Sequence, residues 1–219
     1  MEGVAQQEGA RRPYRSARRE EQARQTRARI LAAATGQFLA AGYAGTTMRA
    51  VATAAGVSVP TVEQAVGTKA RLLKAVIDAA TAGDDEPVTM LDRGWAARAE
   101  ASRTAVEFVA GFAAALTASA ERAAGLILAA LDAAHHDADI GAVAAQMAAQ
   151  REVMAAWLVD GLRRRAALRP GLGRGEAVDT VWLLMDPAVF TRLTRDRGWP
   201  SARFQAWFAD AVLRLLGPG

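Results

Sequence analysis

The chain contains no cysteine. Disulfides, thiolate metal sites and thiol catalysis are therefore excluded. Histidine is almost as scarce, with two residues placed side by side at His135 and His136. Neighbouring positions on a helix point apart, so this pair cannot face one ion without unwinding. "HHDAD" (135–139) reads instead as a helix end, with Asp139 capping the next helix and no metal site. Long apolar runs are missing too. The longest are short and broken by Arg, Asp or Glu, which argues against a membrane span. The start, "MEGVAQQEGARRPYRSARRE", lacks the apolar block of a secretory signal. A soluble protein of the cytoplasm is expected. No Ser/His/Asp arrangement, Gly-rich phosphate loop or paired-carboxylate motif stands out, so neither an enzyme nor a bound cofactor is expected.

What is present is alanine in abundance, within a composition that is 52% hydrophobic. That favours packed helices, and 219 residues can bury a sizeable core. Charge is uneven along the chain. Residues 1–80 hold 12 Lys/Arg against 6 Asp/Glu, and residues 81–219 hold 15 against 17, so +6 in front and −2 behind make up the net +4. A basic front points towards a polyanionic partner. Five arginines of the first 19 residues (Arg11, Arg12, Arg15, Arg18, Arg19) supply much of it, and a solvated tail would show the same excess.

The periodicity predicts an all-α protein. Residues 1–19 have little to bury and read as a disordered basic arm. A helix is expected from about Glu20 to Ala41, with Ile30, Leu31, Ala34 and Phe38 on one face and Gly42 as its stop. Thr46 or Thr47 caps a second helix, and Gly56-Val57-Ser58 turns the chain. Ser58 caps a third helix with Pro60 in its first turn, and Thr68 or Gly67 opens a fourth. The acidic stretch "AGDDEPV" (82–88) is the expected domain boundary. That gives an arm at 1–19, a helix-turn-helix domain at 20–82 and a helical regulatory and dimerisation domain at 83–219. In the last, helices are expected at roughly 89–99, 101–119, 121–135, 139–168, 175–185, 187–196 and 200–216.

Small residues where two helices cross (Ala52, Ala55, Gly56) and an apolar plug after the turn (Val57) suit a helix-turn-helix, although helical hairpins with Gly turns share them. The stretch "RILAAATGQFLAAGYAGTTMRAVATAAGVSVPTVEQAVGTKARLL" also resembles the N-terminal domain of the tetracycline-repressor (TetR) family of bacterial transcription regulators. Arg29-Ile30-Leu31, Phe38, Gly42-Tyr43, Thr46-Thr47, Ala52, Ala55-Gly56-Val57-Ser58, Thr61, Lys69 and Leu72 match that family's pattern in order and spacing. "DPAVFTRLTRDRGWPSARFQAWFADAVLRLL" resembles the last helices of many members more loosely.

The resemblance implies roles. Thr47 would hold a DNA phosphate and Arg49 would lie near the backbone or groove edge. Ser58, Val59, Pro60 and Thr61 would open the recognition helix, and Gln64 would pair with an adenine edge. Lys69 would clamp a phosphate. Two positions depart from the family. Glu63 stands where an aromatic, most often Tyr, is usual, and Val66 where Phe is usual. A carboxylate at 63 should repel the backbone or turn to a cation, with Lys69 and the arm arginines as candidates.

The resemblance further implies a homodimer paired through its last two helices, and a body that senses a small molecule. Phe204, Phe208, Ala211 and Leu215 recur at helical spacing, widened by Trp207, Val212 and Leu216, and with Phe190 form the expected interface. Trp95, Phe108, Phe112, Met147, Met154, Trp157, Trp182 and Met185 are bulky side chains amid alanine and form the expected lipophilic pocket. The expected function is thus a repressor on double-stranded operator DNA, released by a small lipophilic effector. A helical small-molecule-binding or interaction module without sequence-specific DNA binding is the competing reading.

Overall fold

Caps and glycines cut the described part of this alanine-rich chain into ten helices. The computed structural model describes residues 12–218, with side chains from residue 17 onward, and no strand occurs among them. The helices are α1 (Arg12–Gly45), α2 (Met48–Ala55), α3 (Val59–Val66), α4 (Lys69–Ala82), α5 (Gly94–Glu100), α6 (Ala105–Ala133), α7 (Ala138–Arg163), α8 (Arg174–Leu184), α9 (Pro187–Thr191) and α10 (Ser201–Leu216). A 3₁₀ turn at Met90–Asp92 precedes α5, and a π turn at Arg192–Asp196 continues α9.

Two compact units divide after Leu72, inside α4. In the first, α1 packs on α2 and α3. Ile30, Ala34, Phe38, Val51, Val62 and Leu72 are buried there, and the Phe38 and Tyr43 rings stack at 6.2 Å. Gly42 breaks the helical path of α1 with φ +66°, a conformation that favours glycine. Arg27 ties α1 to the end of α3 by donating to the Ala65 carbonyl at 2.9 Å.

In the second unit α6 is the central helix, packed on α5, α7, α9 and α10, while α8 packs on α7. A Thr104–Glu107 capping box starts α6. Phe108, Phe112, Leu158, Leu162, Phe204, Phe208 and Val212 belong to one apolar core. In it α7 comes close to α6 at Gly161. A Cβ on Gly161 would fall 2.1 Å from Phe108 Cζ, so only glycine fits. The Arg165 guanidinium lies over the same ring, 4.1 Å from its centroid. Arg165 also donates to the Gly161, Ser102 and Glu100 carbonyls at 2.8, 3.0 and 2.6 Å, which pins the α5–α6 connection to α7.

The structure corrects several expectations. The arm expected at 1–19 lies outside the described residues up to Arg11, but from Arg12 the chain is already α1. The units part within α4, ten residues before the acidic segment, because α4 runs unbroken to Ala82 and buries Val76 and Ile77 beyond the division. The helices expected at 101–119 and 121–135 are one, since nothing between Ala118 and Arg122 breaks a helix. Asp137, not Asp139, caps α7 by accepting from the Ile140 amide. With a mean hydropathy of 1.3, α6 is long and apolar enough to cross a membrane by length and composition alone, which the broken runs of the sequence had hidden. Here it carries the core of the second unit.

The expected dimer stripe changes most. Phe190, Phe204, Phe208 and Val212 are buried in the chain's own core, with Phe208 stacked on Phe112 of α6 at 6.1 Å. A single stripe on a helix faces one way, and α6 takes it. Of the residues expected at an interface, Trp207 and Ala211 are half-buried, and Leu215 remains 41% exposed. Leu183 of α8 is 61% exposed. No periodic pattern had marked it.

Candidate DNA-reading head and ligand cavity

The head is built from its caps upward. Thr47 caps α2, its hydroxyl oxygen accepting from the Ala50 amide at 3.1 Å. Gly56 ends that helix in the left-handed region at φ +65°. Ser58 caps α3 by accepting from the Thr61 amide at 3.3 Å, and the two hydroxyls lie 2.8 Å apart. Val62 is fully buried and holds the inner face of α3. Successive residues rotate by about 100° on a helix, so Pro60 and Gln64 centre the opposite face, flanked by Thr61 and Glu63. Pro60, Glu63 and Gln64 are exposed, and Val59 and Thr61 are half-buried. Arg49 and Thr47 are exposed at the start of α2. The geometry therefore brings Thr47, Arg49, Ser58, Val59, Pro60 and Thr61 to the two helix N-termini, where anions and base edges are met, and places Gln64 further along the exposed face of α3.

Lys69 is the exception. Its ammonium donates to the Tyr43 carbonyl at 3.0 Å and the Thr46 carbonyl at 3.2 Å, and lies 4.0 Å from the Tyr43 ring centroid. It fastens the chain just before the Thr47 cap instead of reaching freely for a phosphate. Nor does it serve Glu63, for which no ion pair is found among the described residues. Of the arm arginines, Arg11 and the side chains of Arg12 and Arg15 fall outside the described residues, and Arg18 and Arg19 are exposed.

The second unit contains a cavity of about 760 Å³, within the range of drug-sized sites. Trp95, Phe112, Met147, Met154 and Met185 line it, as the bulky residues of the sequence led one to expect. Phe108, Trp157 and Trp182 do not. Phe108 packs against Gly161 and the Arg165 guanidinium, and Trp157 packs against Trp95, Phe108 and Phe112 at 5.1 to 6.0 Å. Trp182 turns its ring to the Arg151 guanidinium, 3.7 Å from the centroid. Phe190 and Phe204, expected at the dimer interface, line the cavity instead.

Sequence reasoning missed three parts of this wall: Ile77, Thr81 and Ala82 of α4, the connection from Asp84 to Leu91, and the Arg151–Asp186 pair at 2.8 Å. Only the 35-residue separation hid that pair. Arg93 holds the connection in place. It donates to both Asp84 oxygens, at 2.5 and 2.9 Å, and to the Val88 carbonyl at 3.2 Å. These bonds to the charged form push the Asp84 carboxyl down to about 2. Exposed lining residues mark where the cavity meets solvent: Asp84 to Thr89, with Gln150 and Val153 of α7.

Residues 30–76 match the family model described as bacterial regulatory proteins, tetR family. A comparison with curated protein sequences finds no match. Among solved structures, the chain is similar to NalD, the secondary repressor of the MexAB-OprM multidrug efflux pump in Pseudomonas aeruginosa. Identity is 18% over 88% of this chain and 96% of that one, with a TM-score of 0.64. It is similar to the transcriptional regulator FadR from Bacillus subtilis, solved in complex with stearoyl-CoA, at 14% identity over 85% and 97% (TM-score 0.64). The ketosteroid transcriptional regulator KstR2 of Mycobacterium tuberculosis is similar at 16% identity over 88% and 95% (TM-score 0.59).

Proposed function

From the premise that residues 30–76 are the DNA-binding head of the tetR family of bacterial regulatory proteins, we propose that this protein is a transcriptional repressor. It binds double-stranded operator DNA as a homodimer and is released by a small lipophilic effector. The observation that carries this is the pairing, in one chain, of a capped and outward-facing α3 with an apolar cavity in the second unit. In a homodimer the two α3 helices would read half-sites about 35 Å apart, one turn of DNA. Thr47 and Arg49 position the head on phosphates, while Pro60, Thr61 and Gln64 face the bases. The dimer would form through the exposed sides of α8 and α10 around Leu183 and Leu215.

Release would run along α4. Its first residue, Lys69, fastens Tyr43 and Thr46 ahead of the Thr47 cap, and its later residues Ile77, Thr81 and Ala82 line the cavity. An effector that prefers one position of α4 shifts the population away from the spacing that fits DNA.

The test is a binding assay of the full chain on the DNA upstream of its own gene, across a salt series. A preferred, roughly palindromic site is expected, and Leu183→Glu with Leu215→Glu should weaken binding to it by removing the dimer. Absence of any sequence preference at moderate salt would instead favour a helical small-molecule-binding module, the reading that the exposed carboxylate of Glu63 on α3 supports.

A further inference from the structure

Few side chains of α3 can form a hydrogen bond with a base. The helix from Val59 to Val66 contains no Lys or Arg. Beyond Thr61, its hydrogen-bonding side chains are Glu63 and Gln64, and both are exposed. Glu63 follows the buried Val62 by one step of about 100° and so flanks the outward face beside Gln64. Its carboxylate has no hydrogen bond or ion pair among the described residues. Cations near the end of the helix are turned elsewhere. Arg27 donates to the Ala65 carbonyl, Lys69 to those of Tyr43 and Thr46, and Arg71 lies against Gly67.

A carboxylate accepts hydrogen bonds and donates none, which makes it selective in the major groove. Guanine shows it only the acceptors N7 and O6, and thymine shows O4 and a methyl group. Adenine offers its N6 amino group, but its own N7 stands beside that group and repels a carboxylate. Cytosine offers the N4 amino group with no acceptor of its own next to it, so it fits best. Gln64 holds both a donor and an acceptor and matches the N6/N7 edge of adenine. Towards the phosphates the same carboxylate is only a cost, because like charges repel.

We propose that Glu63 is a specificity-determining residue, accepting a hydrogen bond from the N4 amino group of a cytosine in each operator half-site. It lowers affinity for DNA in general through the phosphates and selects one base pair. This rests on α3 reading DNA. It goes beyond that reading by giving the helix a further polar reader and by naming its base.

The test footprints the full chain on the DNA upstream of its own gene, then changes each base pair of the half-site to the other three. Gel-shift titration at fixed salt compares wild type with Glu63→Ala and Glu63→Gln. Wild type should prefer cytosine about tenfold at one position, which corresponds to roughly 1.4 kcal/mol. Glu63→Ala should flatten the preference at that position, keep the ratios at the others, and bind sites without the cytosine more tightly than wild type does. Glu63→Gln should move the preference from cytosine towards adenine. Glu63 is exposed and its carboxylate touches no partner among the described residues, so both variants should melt with wild type, which separates lost reading from misfolding. Base preferences kept at every position in Glu63→Ala, with or without a uniform gain in affinity, would overturn the proposal and leave Glu63 as a repulsive group. A wild-type protein with no sequence preference at all would remove the DNA-reading assignment, and this proposal with it.

Discussion

Replacing Lys69 by methionine separates two roles for one ammonium. The substitution keeps the aliphatic stem and deletes the charge. In the structure that charge makes two hydrogen bonds to main-chain carbonyls, those of Tyr43 and Thr46, and covers the Tyr43 ring. A hydrogen bond to a charged group contributes about 1.5–3 kcal/mol in mutational series. The two share one half-buried ammonium, so they are not additive, and the stacking is a smaller increment of about 0.5–1 kcal/mol at such sites. The head should therefore lose about 2–3 kcal/mol of local stability. Amide hydrogen exchange across residues 43–55 reads that loss directly, without assuming that both compact units unfold together. Operator affinity should fall, yet the slope of log affinity against log salt should hardly change, because no phosphate contact is removed. A lysine that clamps a phosphate gives the opposite pattern: unaltered exchange and a slope smaller by about 0.9 for each phosphate lost. That result would refute the assignment of Lys69 to the chain before the Thr47 cap.

Three further outcomes follow from particular contacts. Gly161→Ala places a methyl 2.1 Å from Phe108 Cζ, in a core where that ring is fully buried; overpacking of this kind costs about 1–3 kcal/mol. A melting point lower by roughly 2–4 °C per kcal/mol is expected by calorimetry. Ser58→Ala removes the cap of an eight-residue helix, should cost about 1 kcal/mol, and should weaken operator binding on every sequence alike, as gel-shift titration would show. Asp84 has a depressed carboxyl, so its contribution is complete above the ordinary carboxylate range near 4 and is lost as pH falls through about 2. Limited proteolysis with an acid protease between those values should show the 83–93 connection opening, and Asp84→Asn should open it at every pH.

Much of the head was legible from residues alone, because its determinants are local. A threonine or serine ahead of an apolar-periodic run, a glycine behind it and a proline in a first turn specify α2 and α3 through their own backbone hydrogen bonds. Thr47, Gly56 and Ser58 act within four residues of themselves. The contacts of Lys69 were not legible, for the complementary reason. Its partners are 26 and 23 residues away, at carbonyls that carry no mark in a sequence.

The body divides along the same line. Periodicity was enough to show that residues beyond the acidic connection form apolar-faced helices, and composition singled out Trp95, Phe112, Met147, Met154 and Met185 as bulk amid alanine. Helical periodicity says that a side is apolar, but not which neighbour covers it. Only tertiary packing decided that α6 takes the Phe204, Phe208 and Val212 stripe, leaving Leu183 and Leu215 outside. It also decided that Phe108 is wedged over Gly161 instead of facing a cavity. The Arg151–Asp186 pair on the cavity wall was out of reach for the same reason, since its members stand 35 residues apart and meet only when folding brings them together.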